Sequence, residues 1–239
     1  MSAQFPEGDG IFETLKTVNG EVFALGRHIA RAQRSAEILG IPFPSEYEIR
    51  AAVEELLMPG RNIPDVGRLR MTFANSGEFG LLHENLHPWS SPARLMLLDR
   101  PVDETSPGSG LKMLPFSKNV ACLALARAEG FDDGIRLNQR GEICESSVAN
   151  LLLRIDGQWV TPDLSSGCLP GITRELSLEW LEVQERTISA NELENADAIF
   201  LMSSLKELQP VVTLGDRVLE VDMHLAEEFA AHAAESFEP

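Results

Sequence analysis

Two turn dipeptides constrain this sequence more than any other feature. Asn19-Gly20 lies at the centre of GIFETLKTVNGEVFALG, whose apolar residues alternate, and Asp156-Gly157 divides NLLLRIDGQWVTP. Asn, Asp and Gly tolerate the positive φ angles that tight antiparallel turns demand, so each dipeptide predicts a hairpin. Between the hairpins the apolar period lengthens. RHIARAQRSAEILG places Ile29, Ala32, Ala36 and Leu39 on one helical face and stops at Gly40, with prolines beyond. A second helix is expected from about Ser45 to Met58, followed by strands at GRLRMTFA, GLLHENLH and ARLMLLD. Strands joined by hairpins do not build a doubly wound parallel sheet, which needs a crossover at each step. The pattern predicts an α+β fold.

PVDETSPGSG, polar and rich in Pro and Gly, reads as a linker. It divides the chain into a small N-terminal α/β domain over 1–100, a linker over 101–110 and a larger domain over 111–239. Beyond it come a short strand at Leu111–Leu114, a helix over Asn119–Glu129 and strands around DGIRLN and the second hairpin. A helix starting near GITRELSLEWL, a strand at DAIFLMSS and a C-terminal helix complete the second half.

Charge excludes whole classes of function. Against 20 basic side chains stand 37 acidic ones, a net charge of −17, and no basic stripe offsets it. Such a surface repels nucleic acid and anionic membranes. Any anionic cofactor would need a local cationic pocket. No stretch approaches the roughly 20 apolar residues of a membrane span. The opening MSAQFPEGDG lacks a basic, then apolar, export leader. Cys122, Cys144 and Cys168 lack metal-ligand spacing and read as buried thiols, so a cytoplasmic location is expected.

HENLH, 83–87, matches the zinc-protease string, which works only on a helix, where its histidines stand one turn apart. Pro88 follows directly and biases His87 away from helical angles. A strand with polar side chains is expected, and no metal.

LKMLPFSKN holds two lysines. Lys118 falls in the first turn of a helix that Ser117 can cap; a cation there gains nothing from the helix dipole and points to water. In an extended Leu111–Leu114, Lys112 shares a face with Leu114, and Leu111 with Met113. A lysine held among apolar residues is either a Schiff-base nucleophile or a snorkelling edge residue. The residues alone leave both open.

From Lys112 onward the sequence resembles the class IV aminotransferases, the fold type IV enzymes of pyridoxal 5'-phosphate. Members include branched-chain and D-amino-acid aminotransferases and aminodeoxychorismate lyase. The family places its cofactor lysine seven residues before an Asn-Val-like pair opening an Ala-rich helix. Gly-x-Asp-Glu/Asp, a strand, Gly-x-Val/Ile-x-Glu and an Asn follow. Here Lys112 precedes NVACLALARAEGFDDGIRLNQRGEICESSVAN. GDGIFETL, HIARAQRSAEILGI, TPDLSSGCLPGITRE and ISANELENADAIFLMSSLKELQPV extend the likeness over about Gly8 to Val211.

The resemblance implies a two-domain fold with a β-barrel-like C-terminal domain, a homodimer and a small amino-acid-like substrate. It implies that Lys112 binds the cofactor covalently and shuttles a proton, and that Glu145 faces the ring nitrogen. Arg31, Gly171-Ile172-Thr173 and Ser203-Ser204 fall where the family holds the phosphate. A helix opening at Gly171 is in its own right a ready anion site. Without the resemblance, Glu145 would read as a solvated acid, Arg31 as a surface ion pair and Ser203-Ser204 as a turn.

Within the family, FETLK resembles lyase members more than the FEGIR of branched-chain enzymes, with Thr14 in place of a glycine. Tyr47 is the one tyrosine, and Ser117 stands where aminotransferases commonly carry another. These features favour 4-amino-4-deoxychorismate lyase, which yields 4-aminobenzoate and pyruvate for folate synthesis, over a branched-chain or D-amino-acid aminotransferase. Arg68 and Arg70, on one strand face, could hold a substrate carboxylate or serve structure. A non-catalytic cofactor-binding module is the outside alternative, and the retained Lys112, Glu145, Arg31 and Gly171-Ile172-Thr173 count against it.

Overall fold

A computed structural model describes residues 8–58, 60 and 63–238. The chain forms two compact units. The first comprises Met1–Pro88, Leu111–Phe116 and Ala233–Pro239, and the second Trp89–Gly110 and Ser117–His232.

The first unit opens with strands β1 (Gly10–Val18) and β2 (Glu21–Phe23), paired Thr17 to Val22 and Val18 to Glu21. The turn between them is the expected hairpin, with φ of 52° at Asn19 and 89° at Gly20. Helix α1 (Leu25–Leu39) ends at Gly40, whose φ of 67° lets its N–H reach the Ala36 and Glu37 carbonyls. Ile29, Ala32 and Ala36 are buried as expected, and Leu39 packs against the same cluster. Helix α2 (Glu46–Leu57) is closed by a reciprocal Ser45–Glu48 capping box. Strands β3 (Val66–Ala74) and β4 (Phe79–Asn85) follow. The sheet order is Phe237–Glu238, β2, β1, β3, β4, and the short strand Met113–Leu114 also pairs with β1. Apolar residues of one sheet face, including Ile11, Leu15, Leu69 and Met71, join both helices in one core.

The second unit is built on a nine-stranded mixed sheet. Its order is Val183–Arg186, Gln158–Pro162, Asn150–Ile155, Ala196–Ser203, Glu207–Leu214, Ala93–Val102, Asp133–Asn138 and Ile143–Ser146, with Arg217–Val218 paired to Glu207–Leu214. Three pairings are parallel, and hairpins or antiparallel neighbours make the rest. The Asp156-Gly157 turn has φ of 51° and 76°, again as its residues predict. Leu151, Leu153, Ile199, Leu201 and Val211 lie at the centre of this core. Helices α3 (Ser117–Ala128) and α4 (Ile172–Trp180) belong to this unit.

The compact units divide the chain elsewhere than composition suggests. Ala93–Val102 pairs in parallel with both Glu207–Leu214 and Asp133–Asn138, so pairing assigns it to the second unit. The stretch after it is braced rather than loose: Glu104 accepts from the Gln139 N–H and Ser109 donates to the Gly167 carbonyl. Residues 111–116 return to the first sheet. Helix α3 starts at Ser117, two residues before the expected Asn119, so Ser117 is the helix's first residue and not its cap. HENLH behaves as its proline predicts: β4 runs to Asn85, and His83 Nε2 lies 2.8 Å from Thr17 Oγ1. Among the described residues no helix is long and apolar enough to cross a membrane.

Candidate active site

Lys112 belongs to the first unit. Its carbonyl accepts from the Phe12 N–H at 3.0 Å, which ties it beside β1, while the next residue, Met113, packs on the core. The Lys112 ammonium lies 4.5 Å from the Phe12 ring centroid and 5.2 Å from that of Phe116, and the two rings meet edge to face at 5.1 Å. Aromatic faces attract the cation without consuming its protons in hydrogen bonds. Arg70 stacks over Phe12 as well, at 4.3 Å, whereas Arg68 pairs with Glu84 in the open. The two strand arginines therefore differ in role, and only Arg70 shares a ring with the lysine. Burial lowers the Arg70 pKa, and the charge of Arg68 adds to the effect. Lys118 is exposed, as its place in the helix predicts.

Behind β1 lies a cluster that the sequence reading did not foresee. Glu13 sits between Ile11 and Leu15 on the face that packs on α1, only 1% exposed. Arg31 Nε donates to its Oε1 at 2.9 Å and Nη2 to its Oε2 at 2.5 Å. His28 Nδ1 lies 2.7 Å from the same Oε2. Burial by itself would raise the Glu13 pKa, but the Arg31 charge and the His28 hydrogen bond more than offset it and hold the group at about 2. Burial also lowers the His28 pKa, overriding the pull of Glu13. The imidazole is therefore neutral at pH 7, with Nδ1–H donating to the carboxylate. Arg31 is thus no surface ion pair; it is a buried cation with a dedicated counter-ion. The signal was present: an acid at an inward position of an alternating strand, and an H-x-x-R on the facing helix.

The remaining candidates lie in the second unit and cluster at one turn. Glu145 Oε2 accepts from the Leu169 N–H at 3.0 Å, and Asn150 Nδ2 donates to the Leu169 carbonyl at 2.8 Å. Two residues later, Gly171 precedes α4 and offers no side-chain cap to its amides. A Cβ at 171 would lie 2.0 Å from Asn150 Oδ1, so any larger residue there must displace the Asn150 amide. Ile172 and Thr173 are both buried at the head of the helix. The Thr173 hydroxyl is buried with no hydrogen-bond partner among the described residues, a costly condition that a ligand would relieve. The strand Ala196–Ser203 reaches the same neighbourhood, with Met202 opposite Asn150. Ser203 is oriented by its turn, its carbonyl and hydroxyl accepting from the Lys206 N–H at 3.0 and 3.3 Å, and Ser204 is buried. Glu145, Ile172, Thr173 and Ser203 are therefore brought together around Leu169 and Asn150. Asn150, whose amide donates to this turn, was seen in the sequence only as a motif residue.

The sequence profile described as Amino-transferase class IV matches residues 10–214, most of the chain. The chain is a class IV aminotransferase family member. Among sequence relatives, a Thermotoga maritima protein named probable branched-chain-amino-acid aminotransferase is 30% identical over 86% of this chain and 77% of its own length. Among solved structures, a Legionella pneumophila protein provisionally named 4-amino-4-deoxychorismate lyase superposes with a TM-score of 0.85 at 23% identity, covering 98% of this chain and 96% of that one. A Mycobacterium tuberculosis hypothetical aminotransferase, solved in a form bound to pyridoxal phosphate, gives 0.86 at 22% identity over 96% and 90%. The class IV fold is thus the fold type IV architecture that the motifs imply, and the chain is an enzyme dependent on pyridoxal 5'-phosphate. Its residues suit such a group: an uncapped helix start and an orphan hydroxyl are what a phosphate ester needs.

Proposed function

We propose that this class IV enzyme is a lyase that converts 4-amino-4-deoxychorismate to 4-aminobenzoate and pyruvate. Lys112 binds the cofactor covalently and moves the proton of the amino-bearing carbon. Glu145 faces the ring nitrogen and keeps it protonated. Arg31, Ile172, Thr173, Ser203 and Ser204 hold the phosphate. The active form is a homodimer. The cofactor, when bound, draws electrons from the carbon that bears the substrate's amino group. Loss of that carbon's proton and cleavage of the neighbouring ring C–O bond make the ring aromatic; enolpyruvate leaves with the oxygen and takes up a proton to become pyruvate, so the atoms balance without a second substrate.

One observation carries the choice of reaction. The side chains stacked around the Lys112 ammonium are phenylalanines, and Tyr47, the one tyrosine in the chain, stands 81% exposed on α2. An aminotransferase must read two different acids in turn, which favours hydrogen-bonding aromatic residues near its lysine; hydroxyl-free rings suit a single, ring-shaped substrate better. The amino-transfer reading also has support, because the Thermotoga relative, 30% identical, carries an aminotransferase name.

The deciding assay supplies aminodeoxychorismate without any 2-oxo acid, beside a panel of L- and D-amino acids with 2-oxoglutarate or pyruvate. Pyruvate release in the first arm is expected. Rapid amino transfer in the second with no pyruvate in the first overturns the lyase reading. Borohydride reduction followed by peptide mapping tests the lysine separately: the adduct is expected on Lys112, and an adduct on Lys118 overturns its assignment.

A further inference from the structure

Thr173 is followed by a residue that does not belong at a helix start by the usual rules. Arg174 occupies the third position of α4. Acids are favoured there, because the positive end of the helix dipole disfavours a cation and because a capping-box acid stands three residues after the cap. Arg174 is also only 4% exposed. A buried cation in an unfavourable field persists only where its bonds offset both penalties. Its Nε and Nη2 both donate to the Pro162 carbonyl, at 3.3 and 2.7 Å, and Nη2 also reaches Glu185 Oε1 at 2.5 Å.

Those partners explain the placement. Pro162 ends the strand Gln158–Pro162, and Glu185 lies in the parallel neighbour Val183–Arg186, where Pro162 stands opposite Arg186. Glu185 Oε1 also accepts from the Leu164 N–H at 3.3 Å, and the Asp163 N–H donates to the Arg186 carbonyl at 3.1 Å. Arg174 thus joins the first turn of α4 to the strand end where the segment leading to Gly171 begins. Gly171 has no side chain with which to fix the helix start, and Thr173 contributes an unsatisfied hydroxyl rather than an anchor.

We infer that Arg174, with Glu185 behind it, is a positioning residue that aims the amides and hydroxyl of Gly171-Ile172-Thr173 at the cofactor's phosphate without touching it. The inference rests on the phosphate assignment proposed above. Arg174→Lys keeps the charge but loses the planar fork that spans Pro162 and Glu185. Glu185→Gln keeps both Pro162 bonds and removes the charged partner.

The test titrates apoenzyme with pyridoxal 5'-phosphate and, separately, with pyridoxal, which lacks the phosphate, and compares the ratio of the two affinities. Arg174→Lys should narrow the wild-type preference for the phosphorylated form about tenfold, the scale of one well-aligned charge-assisted contact, with pyridoxal binding unchanged. Glu185→Gln should narrow it less, and it carries the test if the arginine variant does not fold. Equal loss of both affinities, or no change in the ratio, assigns Arg174 to folding alone and overturns the inference. Thr173→Val separates the two levels. A narrowed ratio in that variant with none in either brace variant sinks the positioning role only. A wild-type ratio near one removes the phosphate assignment, and the inference with it.

Discussion

Arg31 in the first unit and the head of α4 in the second, both assigned above by proposal to the cofactor's phosphate, are built by opposite means. Arg31 is a full charge buried against a full charge, its guanidinium matched by Glu13, to which the neutral His28 also donates. The head of α4 presents backbone amides and one hydroxyl, without a side-chain cap and with Thr173 unsatisfied. The first arrangement carries its own counter-ion and is strongly disturbed by losing it. The second is incomplete until something binds. Removing the Glu13 counter-ion should therefore register in unfolding, and perturbing the turn should register in affinity.

The largest expected effect is Glu13→Ala, which strands Arg31 in the core. Loss of one partner of a buried pair typically costs about 3–5 kcal/mol, read as a shift of the urea midpoint. A shift no larger than that of an exposed pair would mean that the cluster relaxes to water, and the contrast between the units would fail. Acid titration probes the same group. With the Glu13 pKa lowered from 4.5 to about 2, its contribution is fully present above about pH 4.5 and lost as pH falls towards 2. That contribution is on the order of 3 kcal/mol at neutral pH. The stability gap between wild type and Glu13→Gln should accordingly close on acidification, and a gap constant from pH 7 to pH 2 contradicts the assigned charge state.

The smallest effect sharpens the other side. Thr173→Val removes an unsatisfied buried hydroxyl, so apoenzyme stability should hold or rise by up to about 1 kcal/mol. Affinity for pyridoxal 5'-phosphate should fall about tenfold in the same variant, the worth of one hydrogen bond to a charged group. Lower stability with unchanged affinity would make Thr173 a packing residue.

What was legible in the sequence follows the range of the forces involved. Asn19-Gly20, Asp156-Gly157, Gly40 and the Ser45–Glu48 box act through bonds to near neighbours, and each does in the structure what its residue type predicts. The unit boundaries were hidden because they depend on distant pairing: nothing local tells that Ala93–Val102 pairs with Glu207–Leu214, or Met113 with Ile11. The candidate residues were found through motif order, not through their surroundings. Periodicity marked the apolar face of α1 but treated His28 and Arg31 as ordinary polar residues, because a facing carboxylate comes from another element. Arg174 was passed over for the same reason, its partners lying on two strands.

The discontinuity of the first unit reaches beyond architecture. The backbone passes between the units four times, at 88/89, 110/111, 116/117 and 232/233. A single proteolytic nick between the units therefore frees neither of them, and no one contiguous gene fragment encodes the first. A piece covering residues 8–88 would carry Glu13, His28 and Arg31 but not Lys112, which enters that sheet from a six-residue excursion, 111–116. Recombination between relatives at any single crossover point between codons 18 and 111 exchanges the lysine away from the strand on which it rests. The smallest heritable module that keeps Lys112 with Phe12 spans both units' segments up to residue 116.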